Sequence, residues 1–385
     1  MKINPQYTKI LLNDIPYLIP YGQAVADFSK ALMLNETADL LWSRISCGAK
    51  EDELLNFLSE TYDASDNDIP ELRQGITDFL NMLKSYNVIM SDDTKNYSGS
   101  GTHFIRIGTL NISLCGADKL YDKYFCAFSC DAPPEKCSQE IQILTYPPRT
   151  HKNGNILVRN NEIILSETDD SYIFIFTGSN VYELHSAKDG SLATIYCKEN
   201  RSDKALCELF HAIRFAFLIA AMANDMYVIH SASILYKGKA WLFSGISGTG
   251  KSTHTNLWKE RYNTPILNGD LNMIGFDNGD AVVYGLPWCG TSEIYTRKTY
   301  PLGGITFLKQ SPKNEVIIPS KDKKILYFIQ RLISPSWKIS HIEDSFKFAK
   351  KVADTVPFYR LLCTKSPEAA KIMKQHIYFT FSFDT

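Results

Sequence analysis

The sequence predicts a multidomain protein of mixed α+β and α/β class. Three observations carry that expectation. A chain of 385 residues exceeds what one hydrophobic core usually serves. Between residues 104 and 196 the apolar residues fall in short runs ("FIRIGTLNISL", "GNILVRNNEIIL", "SYIFIF", "LATIYC") separated by Asn, Gly and Asp, which reads as a β-rich region. Further on, the apolar run "KAWLFS" leads into a glycine-rich loop and then the helical pattern "KSTHTNLWKE".

These features divide the chain into residues 1–90, a linker at 91–102, a β-rich subdomain at 103–200 and a catalytic part at 201–385. In the first part, "YTKILLNDIPYLIP" holds two strand-like runs around Asn13-Asp14, a hairpin signal. Asn35 occupies a helix N-cap position, with Ala38, Leu41, Trp42 and Ile45 following at helical spacing. Pro70 suits a first helical turn, and Leu72, Ile76, Phe79, Leu80 and Leu83 mark a second amphipathic helix. The stretch "SDDTKNYSGSGT" is polar and rich in Gly and Ser, as a linker is. Residues 202–224 read as a helix.

Composition excludes some classes. A net charge of -1 gives no dominant footprint for nucleic acid. The amino terminus lacks a secretory pattern, and the most apolar run, residues 212–223, is short and carries Arg214, so a buried helix is expected and no membrane partner. Nine cysteines, without paired C-x-x-C spacing, suit reduced thiols in a cytoplasm; the Cys126, Cys130, Cys137 cluster has no histidine spacing to complete a zinc site.

The stretch "GISGTGKST" fits the G-x-x-x-x-G-K-S phosphate loop in full. Glycines there let backbone N–H groups turn onto phosphates, and the helix N-terminus adds its positive end. Gly245, Ser247, Gly248, Thr249, Gly250, Lys251, Ser252 and Thr253 are the expected nucleotide contacts, with Lys251 reaching the outer phosphates and Ser252 holding Mg²⁺. No N-K-x-D guanine motif accompanies them. Asp270, in "ILNGD", stands where a carboxylate could hold Mg²⁺ or accept a hydroxyl proton; an aspartate in such a turn can also be purely structural. His230 closes the apolar "MYVI" run, 21 residues before Lys251, a place where a lone histidine is more often a satisfied core residue. "YGLPWCGTS" has the composition of a constrained site loop.

Together, "IHSASILYKGKAWLFSGISGTGKSTHTNLW", "ILNGD", "VYGLPWCGTS" and "PLGGITFLKQ" resemble the kinase domain of the HPr kinase/phosphorylase family, and more distantly ATP-dependent phosphoenolpyruvate carboxykinase, over roughly residues 205–375. The resemblance implies a mixed central sheet, an ATP site with Mg²⁺, and phosphorylation of a serine hydroxyl. It implies Lys251, His230 and Asp270 as catalytic residues, with Ser252 and Asp270 at the metal. HPr kinases carry two adjacent aspartates where this chain has Gly269-Asp270, so the base falls to Asp270 or His230, and Gly269→Asp in a His230→Ala background tests this, recovery of some transfer supporting a displaced base. The carboxykinase reading lacks further metal ligands and arginines.

"YLIPYGQAVADFSKALMLNETADLLWSRI", "DELLNFLSETY" and "ITDFLNMLKSYNVI" resemble the pyrroloquinoline quinone biosynthesis protein D (PqqD) fold, a winged-helix-like module. That resemblance implies a partner: the leader segment of a ribosomally made precursor peptide, bound as an added edge strand. The joint expectation is an ATP-dependent peptide serine/threonine kinase. A small-molecule kinase, a carboxykinase-like enzyme and a non-catalytic nucleotide sensor are the alternatives; a homo-oligomer is left open.

Overall fold

The computed structural model describes residues 2–4, 7–20, 31–65, 67–86, 88–90, 101–148, 154–200 and 202–381. Residues 91–100 of the expected linker, and 21–30 of the segment carrying the PqqD resemblance, lie outside the described residues.

At the amino terminus, strands Tyr7–Leu12 and Ile15–Pro20 pair antiparallel. Asn13 and Asp14 between them both take positive φ, 50° and 62°, which a two-residue turn matched to strand twist requires. A third, two-residue strand, Leu32–Met33, pairs on Ile15–Pro20 and forms the sheet edge. Three helices follow, Glu36–Ser46, Glu51–Thr61 and Ile69–Ser85. Asn35 caps the first as its side-chain oxygen accepts from the Ala38 N–H at 2.8 Å. Leu41, Trp42, Ile45, Ile76, Leu80 and Leu83 are buried in one core with Leu18 and Leu54.

The next region is an eight-stranded sheet in the order Thr102–Ile107, Leu110–Cys115, Gln139–Leu144, Leu192–Cys197, Val181–Ala187, Ser171–Phe176, Ile163–Glu167, Asn155–Arg159. It is mixed, because Gln139–Leu144 runs parallel to both its neighbours. Helix Asp203–Ala223 packs across it; Ser202 caps that helix by accepting from Ala205 N–H. The buried Gln139 amide donates to Ala216 O and Gly190 O, both at 2.9 Å, binding helix to sheet. At Gly190 (φ +73°) a Cβ would fall 2.4 Å from the Ala220 backbone, so only glycine permits this approach. By length and composition this helix could cross a membrane, but 67% of its apolar window is buried. Sequence reasoning groups the helix with the catalytic part, whereas its core joins both regions: Leu209, Ile213 and Phe217 pack in one cluster with Ile141 and Ile195 on one side and Met273 and Trp288 on the other.

The carboxy-terminal region builds a second large mixed sheet ordered Lys239–Ser244, Tyr227–Tyr236, Leu271–Asp277, Asp280–Tyr284, Tyr300–Gln310, Phe358–Cys363, Glu315–Ile317. Lys239–Ser244 also pairs parallel with Tyr300–Gln310, so its two sides are both covered. That burial explains its unbroken apolar run. Helices Lys251–Tyr262, Lys321–Ile329, Ile339–Thr355 and Pro367–Phe381 complete the region.

Candidate active site

The phosphate loop leaves the buried Lys239–Ser244 strand and enters helix Lys251–Tyr262. Gly248 (φ 78°) and Gly250 (φ 101°) take left-handed backbone, which glycine allows and which reverses the chain on itself. Nothing lies within 4 Å of where a Cβ of Gly248 would be. Gly245 is needed for a different reason: a Cβ there would meet the Thr249 hydroxyl at 2.5 Å. That hydroxyl donates to Ile246 O at 2.6 Å and closes the loop. Lys251 is 9% exposed, and its Nζ has a long bond to Gly245 O, 3.4 Å. Burial lowers its basicity, Asp270 opposes that effect and Arg331 adds to it.

His230 does not end its strand. It lies within Tyr227–Tyr236, at the residue where the strand changes partner: His230 pairs with Leu271 and Ser231 with Ser244. Periodicity cannot register such a change, because the strand's own backbone continues unbroken. Asp270 occupies the turn between strands Ile266–Asn268 and Leu271–Asp277. The two side chains meet, His230 Nε2 at 3.1 Å from Asp270 Oδ1, each about one-third exposed. The hydrogen bond from His230 holds the Asp270 carboxyl below its ordinary range; burial works against this, and the charges of His230, Lys251 and Arg214 reinforce it.

A buried polar network fixes the pair. Asn268 Oδ1 accepts from the N–H groups of Asp270 (2.9 Å) and Leu271 (3.1 Å). Asn272 Nδ2 donates to Ser231 O at 2.6 Å, while Ser233 Oγ donates to Asn272 Oδ1 at 2.6 Å. Ser231 N–H donates to Asp270 O at 2.9 Å. Such groups cost stability in an apolar sheet unless each finds a partner, and here they tie the histidine's strand to the aspartate's turn.

His230, Ser247, Gly248, Gly250, Lys251, Ser252, Thr253, Gly269 and Asp270 line one cavity of about 340 Å³, whose far wall is the 289–292 segment. Thus the structure brings these sequence-predicted residues together. Gly245 and Thr249 line a neighbouring cavity on the other side of the loop. Trp288 anchors the far wall: it is buried, its Nε1–H donates to Phe210 O at 3.1 Å, and its ring packs on Phe210 and Phe217. Gly290 (φ +62°) passes close over the aspartate, where a Cβ would stand 3.3 Å from Asp270 Oδ2.

Gly269 bears on that test. A Cβ at this position would fall 2.1 Å from Ser292 Oγ, so the serine hydroxyl fills the space a second carboxylate would need. Ser292 is exposed, so Gly269→Asp is expected to displace the 289–292 wall at modest cost in stability and to restore no transfer to a His230→Ala variant. Thermal unfolding alongside turnover checks both parts.

Two arginines near the pair were not singled out by sequence. Arg214, on the long core helix, is half-buried and is coupled by charge to Asp270. Arg331 follows helix Lys321–Ile329; its carbonyl accepts the His230 N–H at 2.9 Å and its charge is felt at Lys251. Neither belongs to a local motif, and only tertiary packing assembles them.

No protein-family model matches the chain, and no curated protein matches it. Among solved structures it is similar to the Hpr(Ser) kinase/phosphatase from Coxiella burnetii, at 10% identity and a TM-score of 0.25, covering 40% of this chain and 97% of that one. A likeness this distant carries nothing about chemistry, which has to come from the residues above.

Proposed function

We propose that the protein is an ATP-dependent kinase that phosphorylates a serine or threonine hydroxyl of a ribosomally made precursor peptide. The observation that carries this reading is the shared cavity: Lys251, Ser252 and the hydrogen-bonded His230–Asp270 pair all line it.

The residues fit a magnesium nucleotide. Gly248 and Gly250 take the left-handed backbone such a loop needs, and among the described residues the buried Lys251 ammonium has one long carbonyl partner, Gly245 O. In this reading the loop and Lys251 would hold the phosphates of ATP, and Ser252 with Asp270 would hold Mg²⁺. ATP, when bound, supplies the phosphoryl group. Asp270 Oδ1 orients His230 by accepting from Nε2–H, leaving Nδ1 as the lone pair that takes the hydroxyl proton. Arg331 and Arg214 offset negative charge that builds up around the pair. Calorimetry tests the nucleotide step. Lys251→Ala should lower ATP affinity with or without Mg²⁺, and Ser252→Ala should lower it only with Mg²⁺. Parent-like binding by both variants would refute the phosphate-site assignment.

The amino-terminal module supports the peptide part of the reading. A cavity of about 740 Å³ runs beside the edge strand, floored by Leu41, Leu72, Ile76, Phe79 and Met82, with the exposed Met33 of that strand at its rim. An extended leader could pair with the edge backbone and place alternate side chains on this floor. Phe79→Ala is then expected to raise KM for a leader-bearing precursor about tenfold and leave KM for a short leaderless acceptor unchanged. Equal shifts for both would remove the recruiting role.

A further inference from the structure

A second cavity, of about 470 Å³, opens on the other side of the phosphate loop, against residues 245–249. Its remaining wall comes from residues 307–310, Tyr327, Gln330, Arg331 and Arg360. No carboxylate lines it, while Lys309, Arg331 and Arg360 all do. No ion pair among the described residues engages any of the three. Lys309 is exposed and Arg331 and Arg360 are half-buried, so with no carboxylate in the lining the cavity is a favourable place for an anion.

The Arg360 guanidinium is held in place. Phe307 and Arg360 are register partners on parallel strands and lie side by side. The Arg360 guanidinium lies 4.8 Å from the Tyr327 ring centroid and donates from Nη1 to the Tyr327 hydroxyl. A guanidinium fixed this way loses little further freedom on meeting a carboxylate and offers it a planar pair of donors. Gln310 Nε2 donates to Gly248 O at 3.0 Å, joining the cavity wall to the loop. Ser247 and Gly248 line both cavities, so a group in the second one is a loop's width from the His230–Asp270 pair.

We propose that this cavity receives a carboxylate of the acceptor peptide, carried by an acidic side chain next to the hydroxyl that is phosphorylated. This rests on the kinase reading above and adds a substrate preference to it. A neutral nucleobase could stack on the arginines but would leave their charge unneutralised, so the charge favours an acidic peptide over the nucleoside as occupant.

The test uses the full chain with ATP, Mg²⁺ and three blocked hexapeptides, acetyl-Gly-Ala-Xaa-Ser-Ala-Gly-amide, with Asp, Asn or Lys at Xaa. The Asp peptide should show a kcat/KM about tenfold above the Asn peptide, with the Lys peptide lowest. Arg360→Ala should reduce the preference, Arg360→Lys should retain it, and Arg360→Glu, which leaves Lys309 and Arg331 facing one carboxylate, should abolish it. Circular dichroism and unchanged ATP affinity report that each variant is folded. ATP affinity should stay within about twofold throughout. Equal kcat/KM for the three peptides in the parent would overturn the proposal. So would an Arg360→Ala variant that weakens ATP binding and keeps the peptide preference, since the cavity would then serve the nucleoside. Peptides with Ala in place of Ser, titrated into nucleotide-loaded protein, separate the two layers. Acid-dependent binding without phosphorylation of any Ser peptide would sink the kinase reading alone, and phosphorylation without acid dependence would sink the inference alone.

Discussion

Replacing His230 by alanine is expected to lower phosphoryl transfer by about 10²–10⁴-fold, the range for loss of a general base, while ATP affinity stays within a few-fold. The imidazole lies 3.1 Å from Asp270 Oδ1, and its backbone is clamped by the Arg331 carbonyl and by Ser244 Oγ, which donates to His230 O at 2.7 Å. Those backbone bonds survive the substitution, so the variant should keep the strand geometry and lose only the proton acceptor. Single-turnover kinetics with saturating ATP read the chemical step directly. A variant that transfers as fast as the parent would leave Asp270 as the base.

Asp270→Asn should be the more damaging change, because it removes magnesium-dependent ATP binding and turnover together. The asparagine keeps the shape and loses the charge that faces Lys251 and Arg214. It also leaves those two cations uncompensated around a partly buried site. Since His230 and Asp270 act as one hydrogen-bonded unit, the double variant should be little worse than Asp270→Asn alone. The pH dependence follows from the carboxyl's lowered titration. With its folded value below the ordinary 3.8, Asp270 contributes stability that is present above that value and is lost as pH falls through the folded one. The parent should therefore show an acid-unfolding limb below about pH 4 that Asp270→Asn flattens. Any titration of kcat near neutrality must belong to another group.

The strand, glycine-rich loop and helix around Lys251 were legible in sequence, because such a loop is specified by local backbone needs. Gly248 and Gly250 are glycines for the φ values they adopt, and the apolar run before them is a strand buried on both sides. The Asn13-Asp14 turn and the Asn35 cap were legible for the same reason, each being settled within four residues. What was not legible depends on distant segments. Ser292 fills the space beside Gly269 from another segment of the chain. Arg214 reaches Asp270 from a helix whose apolar pattern describes only its buried face. The cationic cavity joins the glycine-rich loop, which a motif marks, to Tyr327, Arg331 and Arg360 from distant segments, which no motif marks.

The central claim is transfer of a phosphoryl group from ATP to a peptide hydroxyl through the His230–Asp270 pair. Incubating the full chain with Mg²⁺, γ-labelled ATP and the Asp-Ser hexapeptide, then isolating the peptide, measures this directly. The prediction is label on the serine, formed by the parent and reduced at least about a hundredfold by His230→Ala. Nucleotide bound tightly by the parent with no label reaching any hydroxyl peptide would contradict it, and would make the site a sensor of nucleotide.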